Sequence, residues 1–409
     1  MTIRFRGRAA VVALAATALL AAPATTALAL PGAPAAVPAH ALAAASPAAT
    51  AGVPELSRPT GPYAVGAEVL HLTDRTRTDP WAPEPGPREL MVTVHYPARP
   101  GGSRPTPYMT TDEARLMLAG RGLEDVVPPE LVSGTRTHAR TAAPAERGRF
   151  PLVLLSPGFG TPRATLTSLA EDLASRGYVV ASVDHAYETS GTSFPGGRVL
   201  ACAACERLES APTDEAQRKL LNAVSTGRAA DLSFVLDRLT GHRPAWRHSG
   251  MIDASRVAAA GHSIGGSAAA SVMLTDSRFD AGVNMDGGFQ ERIPAQGLGG
   301  RPFMMIGTDD LHRPGGGDES WDEGWPRLGG WKRWLSVKGS GHFSFTDVPA
   351  LGEQLGLPTD PDAPLSGERS TRITRAYVAA FMDLHLKGRQ QPLLNGPSAD
   401  NPEVVFQRP

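Results

Sequence analysis

Gly261-His262-Ser263-Ile264-Gly265 is the stretch whose residue types and spacing point most directly to chemistry. A serine with glycine two residues away on each side suits a sharp strand-to-helix turn, where neighbouring side chains must be absent. An apolar run precedes it and a Gly, Ser and Ala-rich stretch suited to a helix start follows. In that setting the motif is a nucleophile elbow with Ser263 as nucleophile; without it, Gly-x-Ser-x-Gly would be an ordinary glycine-rich turn. The free N–H groups opening the following helix would face a developing oxyanion.

A serine hydroxyl needs a base to take its proton. In sheets that carry such an elbow the triad follows in the order serine, acid, histidine, so the base lies late in the chain. His342, in Lys338-Gly339-Ser340-Gly341-His342-Phe343 just after the last strand-like run, has that placement. His312, in a Gly/Pro-rich loop, is its rival; His262 reads as a packing residue. Two places remain open for the acid: Asp286, ending Gly282-Val283-Asn284-Met285, and Asp309-Asp310, ending Ile306-Gly307-Thr308. The second oxyanion donor belongs in Ser156-Pro157-Gly158-Phe159-Gly160, which leaves the N–H groups of Phe159 and Ile264 as the pair. Cys202 and Cys205, the only cysteines, form a C-x-x-C; with no second pair to complete a zinc site, a local disulfide is the better reading. Arg228 and Asp231 read as a structural or solvated pair on a helix, and Asp184-His185 as support near the site.

These groups need a frame. Phe150 to Leu155 is a continuous apolar run, the pattern of a strand buried on both faces of a parallel sheet. Similar runs recur at 178–183, 257–260, 281–285, 302–306 and 334–337, and helical patterns lie at 166–176, 217–239, from 263 on, and at 370–386. Steady alternation predicts an α/β fold, a mostly parallel central sheet covered by helices on both faces. Alternating segments at 66–72 and 90–96 add a strand pair split by the turn-rich Asp79 to Pro83. Residues 186–212 form a long irregular insert, a candidate lid. Trp321, Trp325, Trp331 and Trp334 read either as cleft wall or as core.

With 41% hydrophobic and 20% charged residues, the 409-residue chain can bury a sizeable core. A net charge of −1 argues against nucleic acid or an acidic membrane surface as the main partner. Arg4, Arg6 and Arg8 precede a short apolar run at 9–22 and then Ala27-Leu28-Ala29, which predicts a signal peptide over 1–29, cleaved after Ala29, and a secreted protein with no stable membrane span. Residues 30–60, rich in Ala and Pro, read as a disordered leader. One catalytic domain, 61–409, follows.

Taken in order, these segments resemble the platelet-activating-factor acetylhydrolases of the plasma and type-II kind, within the α/β-hydrolase fold. Ser156 to Gly160 is similar to that family's oxyanion loop, with Pro157 where animal members carry histidine. Asp172 to Tyr178, Gly261 to Gly266, Ser277 to Asp286 and Lys338 to Phe343 match its next helix and strand, elbow, acid segment and histidine loop. The resemblance spans about residues 64–350. It implies Asp286 as the acid and hydrolysis of short or oxidised acyl groups from phospholipids, without cofactor, calcium or other metal. A general short-chain carboxylesterase, lipase or polyester hydrolase on the same triad is the alternative. A peptidase or acyltransferase, or a non-catalytic binding module, would be a different class, and the complete triad speaks against the last.

Overall fold

The computed structural model describes residues 52–358 and 360–408. The expected signal peptide and most of the leader lie outside the described residues. The leader's end does not fit the expectation. Leu56 is buried, its N–H donates to the Arg136 carbonyl at 3.0 Å, and the Thr60 N–H reaches Asp172 Oδ1 at 2.9 Å. The ordered chain therefore starts before residue 61, because one apolar side chain and a buried carboxylate give this polar stretch a place to dock.

Twelve strands are present among the described residues: β1 (Ala64–Thr78), β2 (Pro87–Ala98), β3 (Arg140–Thr141), β4 (Phe150–Ser156), β5 (Val179–His185), β6 (Thr192–Ser193), β7 (Val199–Leu200), β8 (Ile252–His262), β9 (Ala281–Met285), β10 (Phe303–Thr308), β11 (Lys332–Val337) and β12 (Val404–Gln407). Ten of them form one sheet in the order β12-β11-β10-β9-β8-β4-β5-β2-β1-β3. The strands from β11 to β5 are parallel, while β2 runs antiparallel to β5 and to β1, and β12 antiparallel to β11. Each predicted apolar run became one of these strands.

Both faces of the sheet are covered, which is why its strands need no polar alternation. Leu152, Leu154, Val257 and Ala259 pack under the helices Asp214–Thr240 and Ile264–Thr275. Val153, Leu155, Ala258 and Ala260 face the opposite core with the helices Thr167–Ser175 and Gly367–Lys387. From β4 the chain builds outward through β5 on one side; β8 then pairs with β4's other edge and the chain proceeds to β9, β10 and β11. Strand order thus reverses between β4 and β8, the place where open α/β sheets leave a crevice at their carboxyl ends. Ser156 and Gly261 are register partners at that crevice, so the loop after β4 and the turn after β8 meet there.

Candidate active site

Ser263 sits between β8 and the helix Ile264–Thr275 with φ 57°, ψ −128°, a conformation an L side chain adopts only when its surroundings impose it. Glycine makes this turn possible. A Cβ on Gly265 would lie 2.0 Å from the Ser156 carbonyl oxygen, and one on Gly287 1.9 Å from the Ser263 carbonyl oxygen.

The Ser263 hydroxyl donates to His342 Nε2 at 3.0 Å, and the His342 Nδ1–H donates to Asp286 Oδ2 at 2.6 Å. The histidine is brought by the loop after β11, the acid by the turn after β9. Asp286 also has positive φ, 59°, which aspartate tolerates better than most residues. Asn284 closes this turn: its Oδ1 accepts from the Gly287 N–H at 2.9 Å and its Nδ2 donates to the Gly287 carbonyl at 2.6 Å. Asp309 instead accepts from Ser336 Oγ, and Asp310 is exposed. Of the two carboxylate positions left open by the residues alone, only Asp286 reaches His342.

His312, the rival base, has another place. Its Nδ1–H donates to Asp286 Oδ1 at 2.8 Å and its Nε2–H to Asp318 Oδ2 at 3.1 Å. A carboxylate can only accept, so both ring nitrogens carry protons and the ring is a buried cation. Burial alone would depress its pKa; the Asp286 charge and the hydrogen bonds to both carboxylates raise it to about 9. Burial opposes ionisation of Asp286 too, yet His312, His342 and their hydrogen bonds hold it well below the usual carboxylate range. The Thr308 N–H adds a bond to Oδ1 at 2.6 Å. Asp286 is therefore ionised and fixed in orientation.

Trp321 stacks on His312 with ring centroids 4.1 Å apart, and its Nε1–H donates to the Gly287 carbonyl. Trp334 donates to the His312 carbonyl. Both indoles are fully buried, and Trp325 and Trp331 pack half-buried against the two cores. The tryptophans are core, and two of them wall in His312. His262 donates from Nε2 to the His342 carbonyl at 2.7 Å, with its ring 4.6 Å from that of His342. Burial and the neighbouring His342 lower its pKa to about 3, so it is a neutral prop under His342.

Neither the Phe159 N–H nor the Ile264 N–H donates to an acceptor among the described residues. Ile264 opens the helix whose free amides carry partial positive charge. The Phe159 loop is held from beneath by a buried charge cluster. Arg228 donates to the Pro157 carbonyl and to Glu188 Oε2, while Arg88 binds Glu188, Asp231 and Asp79. Arg228 and Asp231 are thus neither a pair nor solvated; each is fully buried against other partners. His185 donates to Asp231 Oδ2 at 2.7 Å and accepts from Ser156 Oγ at 3.0 Å. This second Ser-His-Asp path is wholly buried; no substrate reaches it, and it anchors the loop's first residue.

The insert expected to be irregular carries the hairpin β6–β7 and the helix Ala203–Glu209. It is pinned to the loop after β4 by Gly160 N–H to Glu188 carbonyl and Ser190 N–H to Gly160 carbonyl bonds, 2.9 and 3.1 Å. Cys202 and Cys205 are joined by a disulfide within it. Asn284, Asp318 and the Arg88–Glu188 cluster carried no motif. Asp318, six residues after His312 in the same loop, was the one signal available for its pairing.

The profile of the platelet-activating factor acetylhydrolase, isoform II, family matches residues 115–195. A probable 1-alkyl-2-acetylglycerophosphocholine esterase of Arthroderma benhamiae is 30% identical, over 86% of this chain and 93% of its own length. A platelet-activating factor acetylhydrolase of Cavia porcellus is 22% identical, over 62% of this chain and 63% of its own. Among solved structures, a ferulic acid esterase from Streptomyces cinnamoneus superposes with a TM-score of 0.77 and 43% identity. It covers 87% of this chain and all of its own.

Proposed function

Because the chain belongs to the platelet-activating factor acetylhydrolase family and is a carboxylic ester hydrolase of α/β-hydrolase fold, we propose that it releases short or oxidised acyl groups from phospholipids through an acyl-enzyme. The observation that carries this reading is the unbroken path Ser263–His342–Asp286 beside two unengaged amides. Ser263 Oγ attacks the ester carbonyl while His342 Nε2 takes its proton, and Asp286 steadies the imidazolium. The Phe159 and Ile264 N–H groups bind the oxyanion; each such donor contributes about 3 kcal/mol of transition-state stabilisation. His342 returns the proton to the leaving alkoxide. Water, activated by the same base, then cleaves the acyl-Ser263 ester. The basic, apolar, small-residue N-terminus supports export with cleavage after Ala29, and among the described residues no helix is long and apolar enough to cross a membrane.

The 43% identity to a ferulic acid esterase favours a second reading, a neutral short-chain or aryl ester as substrate. Initial rates on a 2-acetyl phosphatidylcholine, p-nitrophenyl acetate and methyl ferulate separate the two. Acetate release from the phospholipid with kcat/KM at least equal to that on the ferulate supports the first. Turnover confined to the ferulate and the p-nitrophenyl ester overturns it.

A further inference from the structure

Arg121 follows the helix Thr111–Ala119, which packs through Met117 and Leu118 into a small core with Tyr108, Ala164 and Leu351. Its guanidinium carbon lies 5.2 Å from the centre of the Phe343 ring, and that ring lies 5.4 Å from His342 and 5.9 Å from His262. Guanidinium, phenyl ring and the His342 imidazole therefore follow one another, each packed on the next.

The charge of Arg121 has no counterpart. It makes no ion pair among the described residues, and its one side-chain hydrogen bond there is from Nη1 to the Met117 carbonyl at 3.3 Å. Burial lowers its pKa, with only Tyr108 opposing the effect. Asp347, which accepts from the Tyr108 hydroxyl, makes no ion pair with Arg121, and burial pushes its carboxyl well above the usual range. Two other guanidinium groups packed into this fold are compensated by carboxylates: Arg88 has three and Arg163 has Asp184. A half-buried guanidinium left with most of its donors free is suited to an anion that arrives from outside, and its planar fork suits two oxygens on one atom.

We propose that Arg121 receives the phosphodiester of the substrate while the ester carbonyl lies at Ser263. The inference rests on the phospholipid reading above and names what would discriminate for it. In a glycerophospholipid the phosphorus is separated from the reacting carbonyl carbon by about five bonds, on the order of 6 Å when extended, which suits a cation one aromatic ring away from His342. A neutral aryl ester has nothing to place there.

The test compares wild type with Arg121→Met and Arg121→Lys on 2-acetyl phosphatidylcholine and p-nitrophenyl acetate. A second measurement takes inhibition of p-nitrophenyl acetate hydrolysis by glycerophosphocholine, which carries the phosphodiester but no ester. Expected for Arg121→Met is a fall of tenfold or more in phospholipid kcat/KM relative to the aryl ester, carried by KM. The inhibition constant of glycerophosphocholine rises by a similar factor, and lysine recovers part of both. An equal fall on both substrates, or no change in their ratio, overturns the proposal. If wild type cleaves the aryl ester but not the phospholipid, the phospholipid reading falls, and the inhibition arm still decides Arg121. Glycerophosphocholine inhibition lost in Arg121→Met supports an anion subsite; a wild type that glycerophosphocholine does not inhibit contradicts it.

Discussion

Replacing His312 by glutamine tests whether the acid of the triad is clamped by a second, charged histidine. His312 is buried and faces Asp286 and Asp318 through both ring nitrogens. Burial works against its charge, but the Asp286 charge and the bonds to both carboxylates raise its pKa from the ordinary 6.5 to about 9. That displacement is worth about 3 kcal/mol of folding stability. A group whose folded pKa is raised contributes fully below its unfolded value and loses the contribution as pH rises through the folded one. The His312 contribution is therefore complete below about pH 6.5 and gone above about pH 9. Lys387 titrates over an overlapping range with the opposite sign, because burial lowers it to about 8; it is present in both proteins and cancels in their difference. The assay is urea unfolding of wild type and His312→Gln at a series of pH values. The wild-type advantage should shrink by about 3 kcal/mol between about pH 6 and about pH 10. A difference that stays constant across that range would show the ring neutral in the folded state and refute the clamp.

Asp286→Asn should lower kcat by about 10⁴-fold, as expected when the histidine loses its orienting carboxylate, while Asp310→Asn, exposed and remote from His342, stays within about threefold of wild type on p-nitrophenyl acetate. If only the second variant collapses, the acid is misassigned. Arg228→Met removes the buried cation that holds the Pro157 carbonyl and Glu188, at a cost of about 3–5 kcal/mol in chemical denaturation. Glu188→Gln in the same chain should return part of that loss, and a second substitution that only adds to the damage would show that charge pairing is not what Arg228 supplies.

The strands were legible because both faces of the sheet are buried: runs such as Leu152 to Leu155 have no polar face to conceal them. The convergence of Ser263, Asp286 and His342 was legible because each stands where a strand ends in glycine-punctuated chain. The four-residue strand β12 is too short to separate from a tail. The charge cluster could not be read at all, since Arg88, Glu188 and Asp231 are distant in sequence and converge only through the placement of β2, β5 and the long helix around β4. The start of the ordered chain is hidden in Ala/Pro-rich composition, because Leu56 and Thr60 take partners, Arg136 and Asp172, that lie far along the chain. The tryptophans resisted for a similar reason: composition suggests a cleft as readily as a core, and only their position around His312 decides.

The most direct test of the account is covalent. Reaction with a fluorophosphonate, followed by peptide mass spectrometry, should place one phosphonyl group on Ser263, with labelling abolished in Ser263→Ala and strongly slowed in His342→Ala. Labelling that persists in folded Ser263→Ala, or a folded wild type that takes no label, would contradict the claim that Ser263 is the nucleophile.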